Sequence, residues 1–160
     1  MKVLLLITVL FSGLMAGLFF AYSCSVNIGL RQLDSKEYIK AMQSINVAIQ
    51  NPVFLLMFMG LLLLFPVVCY KQYSLHSGSI LLLISAMLLY FVAVFGVTMF
   101  GNVPLNEQLA KFPTVKATQN EIDAMRQTFE QPWNRLHTIR TIASIVSFGL
   151  LILFIIKQKN

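Results

Sequence analysis

Trp133-Asn134-Arg135-Leu136-His137-Thr138-Ile139-Arg140-Thr141 is a polar, basic stretch that runs without a break into an apolar one. Beyond Arg140 only Thr141 to Ile156 remain before Lys157. At about 1.5 Å of rise per residue these make roughly 24 Å of helix, against a hydrocarbon core about 30 Å thick. A spanning helix here therefore carries Arg140, and His137 with it, inside or at the lip of the apolar layer. His137, Arg140, Thr141 and Ser144 recur at i, i+3, i+4 and i+7, so one face is polar, while Ile139, Ile142, Ile145 and Val146 lie largely elsewhere. A cation inside a membrane is expensive and faces a bundle interior, which makes this face a functional-site hypothesis by default.

Composition agrees with that reading. The 160 residues are 58% hydrophobic and 11% charged, which is membrane-protein composition and one domain, residues 1–160. Three further apolar segments stand beside the last one, at residues 136–156: one at about 3–27, one at about 52–70 and one at about 79–100. Each approaches the roughly 20 residues of a transmembrane helix. The expected fold is all-α, a bundle of four transmembrane helices with short amphipathic helices in the two outer loops. The first apolar run is too long for a signal peptide, and Tyr22 spoils the lipoprotein-like Ala21-Tyr22-Ser23-Cys24, so the run is expected to stay as a helix. Lys2, Lys71, Lys157 and Lys159 flank the spans densely on one side without an acid. The other side carries eight Lys and Arg, but over longer loops and mixed with all six acids. Raw count favours that side and density in short flanks the first. On density both termini are expected in the cytoplasm, with a bacterial-type cytoplasmic membrane as the expected location. The net charge of +6 is spread over both sides, with no basic cluster for nucleic acid. The lipid bilayer is the expected partner.

The loops carry their own signals. Asp34-Ser35-Lys36-Glu37 is a capping box, and the helix it opens sets Tyr38, Met42, Ile45 and Ile49 on one side, against the membrane surface or the bundle mouth. Asn51-Pro52 caps and starts the second span, and Pro66 predicts a kink or an early end to it. The third span is expected to end at Gly101, with Val103 extended and Pro104 starting a short helix. Thr118-Gln119-Asn120-Glu121 is a second capping box. Its helix carries the stripe Ile122, Met125, Phe129 and Trp133, which needs an apolar cover, and Pro132 is expected to break or kink it. Gly13 and Gly17 form a small-xxx-small pattern for close packing.

Several chemistries are disfavoured. Cys24 and Cys69 fall at opposite faces of the bundle, and no CxxC occurs, which removes thiol-redox chemistry. His76 and His137 likewise fall on opposite sides, against a haem held by two histidines. No His, Cys or carboxylate cluster has metal-ligand spacing, so no metal is expected. All six acids lie in the outer loops, against a proton-coupled carrier. What remains is one mouth, where Asn27, Asn46, Asn51, Asn102, Asn106, Trp133, Asn134, His137 and Arg140 are expected to collect. An imidazole can take a proton near neutral pH, a guanidinium can stabilise the anion left behind, and amides can hold a carbonyl or phenol oxygen. The same residues also read structurally. Arg140 can snorkel or pair with Glu107, Glu121 or Glu130, Trp133 can anchor at the interface, and Asn102 and Asn106 can shape the turn around Pro104.

Gly17-Leu18-Phe19-Phe20-Ala21-Tyr22, Ala41-Met42-Gln43-Ser44-Ile45-Asn46 leading to Asn51-Pro52, Asn102-Val103-Pro104-Leu105-Asn106, and Trp133 followed by Arg140-Thr141 together resemble the anthrone oxygenase-like family of small four-helix membrane proteins. That family often carries Asn-His-x-Arg-Thr before its last helix, where this chain has His137-Thr138-Ile139-Arg140-Thr141. The resemblance implies oxidation of an anthrone-like phenolic substrate by dioxygen without a cofactor. His137 would be the base and Arg140 the enolate stabiliser, with Asn102, Asn106, Trp133 and Asn46 holding a small aromatic or quinone-like ligand. The competing reading is a non-enzymatic membrane scaffold or partner subunit.

Overall fold

The computed structural model describes residues 2–75 and 79–158; His76 and Lys159, used above, lie outside them. Five helices account for the described fold. These are α1 (Lys2–Arg31), α2 (Ser35–Ala48), α3 (Pro52–Ser74), α4 (Ile80–Ala110) and α5 (Gln119–Gln158). All except α2 are long and apolar enough to cross a membrane, as the sequence leads one to expect of an integral membrane protein.

In the bundle, α1 packs between α3 and α5, and α5 packs between α1 and α4. Leu61, Phe65, Leu83, Ala86, Leu151 and Phe154 fill the middle. Small polar groups tie the spans where no water can reach them: Ser147 donates to the Ala86 carbonyl at 2.8 Å, and the Ser23 and Thr141 hydroxyls meet at 2.9 Å. At the end remote from α2, Gln158 donates to the Gln72 side chain. Gly13 lies against Phe148 and Gly101 against Leu136, while Gly17 meets no neighbour. Only half of the expected small-residue pattern therefore serves helix packing. Both cysteines are free, as their separation requires.

The caps follow the sequence. Asp34 Oδ1 accepts from the Glu37 amide at 2.8 Å, Asn51 Oδ1 from the Phe54 amide at 3.0 Å, and Glu121 Oε2 from the Thr118 amide at 2.7 Å. The helix ends beyond them do not. A regular α-helical stretch, Val103–Ala110, does start with Pro104 in its first turn, as expected, but the helix before it does not break at Gly101. Val103 is helical, with φ −61° and ψ −49°, and α4 continues to Ala110, taking up the irregularity in π-helical turns at Tyr90–Gly96 and Thr98–Asn102. Pro132 sits inside α5 and Pro66 inside α3, so neither proline ends its helix. A mid-helix proline removes one hydrogen bond and leaves a carbonyl without its donor. Thr128, which holds that carbonyl for Pro132, is exposed, so water can serve it. Of the amphipathic helices expected in the two loops, α2 alone is separate; those of the second loop are the extended ends of α4 and α5.

These extensions form a second apolar cluster that roofs the bundle. Tyr38, Ile39 and Met42 of α2 bury against Leu109, Ile122, Phe129 and Trp133, so the two stripes read from sequence cover each other. Burial, and then the nearby Glu130 carboxylate, push the Tyr38 hydroxyl well above the ordinary tyrosine range. Gln43 donates to the Leu109 and Phe112 carbonyls at 2.8 and 3.1 Å. Arg126 caps the last turn of α1, donating to the Leu33 and Arg31 carbonyls at 2.7 and 3.1 Å. It also pairs with Glu130 at 2.8 Å and lies over the Tyr38 ring. Arg126→Ala is expected to lower stability by about 2 kcal/mol, the scale of hydrogen bonds to a charged group, read as a drop in the thermal midpoint of the detergent-solubilised protein. A Cβ on Gly101 would stand 2.8 Å from Leu136. Gly101→Val should therefore cost about 1–3 kcal/mol by overpacking, and Leu136→Ala in the same chain should recover part of that loss.

Candidate functional site

Where α1, α3, α4 and α5 meet under α2 lies a cavity of about 500 Å³, within the roughly 300–1,000 Å³ usual for small-ligand sites. Asn46, Asn102, Asn106, Trp133, His137 and Arg140 all line it. Three other members of the expected mouth do not. Asn51 is spent capping α3, Asn27 is not among the cavity walls, and Asn134 faces a separate polar hollow with Arg31 and Arg135.

The cation is buried without a counter-charge. Arg140 is 6% exposed and His137 1%. Among the described residues the ion pairs are those of Arg126 and Arg31 with Glu130, so the pairing of Arg140 with Glu107, Glu121 or Glu130 does not occur. Arg140 instead donates from Nη2 to His137 Nδ1 at 3.0 Å and from Nη1 to Thr98 Oγ1 at 3.2 Å. Its guanidinium carbon stands 5.0 Å from the Phe19 ring centre and 5.6 Å from that of Trp133. These are soft partners, and none neutralises the charge.

His137 is held from every side. Trp133 stacks on its ring at 5.0 Å and 12°, while Tyr22 and Phe19 meet it edge-on. Its Nε2 lies 3.2 Å from the Phe19 carbonyl. A carbonyl only accepts and a guanidinium only donates, so the proton sits on Nε2 and the Nδ1 lone pair receives Arg140. The Phe19 carbonyl precedes the π-helical turn at Tyr22–Val26. Such turns shift the backbone ladder and recur at functional sites.

The amides are fixed by α4 and α5 together. Asn102 donates from Nδ2 to the Trp133 carbonyl at 3.3 Å, and Asn106 Oδ1 accepts from Trp133 Nε1 at 2.8 Å. Trp133 is thus a buried strut of the site and not an interface anchor. Three buried polar atoms around the cavity have no partner: Asn46 Nδ2, Asn102 Oδ1 and Arg140 Nε. Each such atom costs roughly 1–3 kcal/mol if nothing meets it, and together they present two donors and one acceptor. Among the described residues no group of three or more His, Cys, Asp or Glu could hold a metal ion.

Thr98, Tyr22 and Gln43 also line the cavity and were not among the candidates. The signal for Thr98 was present. Thr98, Asn102 and Asn106 are four apart, a polar stripe that shows only if the helix is read through Gly101 and Pro104.

No curated protein and no protein of known structure matches the chain. The sequence model of the anthrone oxygenase family matches residues 48–150, a segment that runs from the end of α2 into the last span and contains Asn102, Asn106, Trp133, His137 and Arg140. On that match, over more than half its length, the chain belongs to the anthrone oxygenase family.

Proposed function

We propose that the cavity binds an oxygenated aromatic molecule and that the protein oxidises it with dioxygen, without a cofactor. The observation that carries this reading is a buried guanidinium with a free Nε on the wall of a cavity whose surface is mostly apolar. An anionic or carbonyl oxygen is the complement of that group. The Asn46 and Asn102 amides add a donor and an acceptor for a second oxygen, and the aromatic walls Phe54, Phe58 and Trp133 suit a flat ring. A scaffold would have these groups paired or turned to lipid, so the hollow and its unpartnered atoms favour a ligand.

The chemistry follows from the groups at hand. A proton leaves the methylene carbon of an anthrone-like substrate for His137 Nδ1, and the electron pair moves onto the carbonyl oxygen beside Arg140. Nδ1 is engaged by Arg140 before reaction, so the guanidinium must pass from the imidazole to the enolate. The charge that forms on the oxygen draws it there. Dioxygen then makes the new carbon–oxygen bond, the proton returns to the distal oxygen, and loss of water leaves the quinone. One oxygen atom ends in the new carbonyl and the other in water. The Lys-dense flanks favour an orientation with both termini on the cytoplasmic side of the membrane.

Arg140→Ala is expected to lower kcat/KM for anthrone oxidation by about 10²–10³, the scale of losing one charge-stabilising donor, with oxygen uptake as the measurement. His137→Gln separates base from strut. It can accept from Arg140 but cannot carry the proton, so turnover should fall as far as in His137→Ala. Full activity in His137→Gln would make His137 a positioning residue only, and unchanged turnover in Arg140→Ala would overturn the reading.

A further inference from the structure

Resting on the ligand-binding reading above, we infer that the ligand reaches the cavity sideways from the bilayer, through a slot between α3 and α4, and is therefore an uncharged aromatic dissolved in lipid. The two helices pack together near their adjoining ends, where the Cys69 thiol meets Met87 Sδ at 3.8 Å. Their last tie is the Tyr90 hydroxyl, which donates to the Phe58 carbonyl at 2.9 Å, with the Phe58 and Phe95 rings 5.6 Å apart just beyond it. From there toward α2 the π-helical turns of α4 pack on α5, and cavity stands where α3 and α4 would otherwise meet.

The rim of that gap is apolar and open. Leu55 and Met59 of α3 and Met99 of α4 line the cavity and are exposed. All three are apolar and lie on helices long and apolar enough to cross a membrane, a rim suited to hydrocarbon and not to water. Toward the water side the cavity is roofed by α2, which Gln43 fastens to the end of α4 and whose apolar face is buried against α5. The exposed lining on that side is Val47 and Gln50 of the roof with Glu107 and Ala110 of α4, and a route to water would pass between them. The layout also orients the ligand. The unpartnered Arg140 and Asn102 atoms sit at the back, so an oxygenated edge goes in first and an apolar body follows.

Trp133 is the one tryptophan of the sequence and lines the cavity, so its fluorescence reports occupancy directly. The full chain is reconstituted in phosphatidylcholine vesicles and titrated with anthraquinone, or with anthraquinone sulfonate, which is charged and stays in water. Saturable quenching by anthraquinone is expected, with a midpoint constant in mole fraction of lipid as the vesicle concentration is varied, and no quenching by the sulfonate. Leu55→Phe with Met99→Phe, which narrows the slot, should slow the onset about tenfold more than Gln50→Phe does, as an obstructed approach lowers the association rate. A midpoint that tracks aqueous concentration, equal quenching by the sulfonate, or a slower onset in Gln50→Phe would overturn the lateral route and leave the binding reading standing. No saturable quenching of the unsubstituted protein by either probe would bring down both. The lipid-dilution series uses that protein alone, so the inference stays exposed to test even if the narrowed variant does not fold.

Discussion

A guanidinium sits inside an apolar bundle with no carboxylate to meet it, and the architecture around the cavity follows from that constraint. A charged side chain at the centre of a span costs about 2.5–3.5 kcal/mol on insertion scales, and burial inside protein does not remove the cost unless partners do. Here the partners are an imidazole nitrogen, a threonine hydroxyl and two aromatic faces. Each holds the group in place, and none cancels its charge. Position is thereby separated from neutralisation, and the neutralising interaction is left to whatever enters the cavity.

The backbone is bent to the same purpose. His137 can serve as acceptor for Arg140 only if its other nitrogen has an acceptor of its own, and the Phe19 carbonyl beside the π-helical turn of α1 supplies it. Thr98 can reach Arg140 from α4 because a second π-helical turn begins there. Trp133 then links the two sides, stacking on His137 while its carbonyl and ring nitrogen fix Asn102 and Asn106. A change at any one of these residues reaches the others through one continuous set of contacts. The polar groups of the site therefore behave as a unit.

Much of this was legible in the residues. Four apolar runs, two capping boxes and Asn51-Pro52 determine the spans and the helix starts, because these signals are local and rest on periodicity and cap chemistry. The polar face His137, Arg140, Thr141 and Ser144 was legible for the same reason, and the structure buries all four. Helix ends were not. Gly101 and Pro132 are strong local breakers, yet each lies inside a continuous helix here, because the packing of α2 on the ends of α4 and α5 outweighs the local cost, about 3 kcal/mol at a proline. Ending the third span at Gly101 hid the register of Thr98 with Asn102 and Asn106. The partner of Arg140 was equally out of reach, since a loop carboxylate and a neighbouring imidazole are both within its span in one dimension and only packing selects between them.

The unpartnered atoms argue most directly that the cavity is kept for use. A protein selected only for stability could fill a hollow of this size with larger apolar side chains, and could replace Asn46, Asn102 and Arg140 with residues that need no partner. Instead the surrounding groups are themselves satisfied: Asn102 Nδ2, Trp133 Nε1 and both nitrogens of His137 have partners, and Asn46 Nδ2, Asn102 Oδ1 and Arg140 Nε are left over. Loose packing would leave unmet groups scattered through the bundle. Here, among the described residues, three of the four buried unpartnered side-chain atoms fall on the wall of one cavity, in the pattern that a molecule carrying oxygen at more than one position would meet.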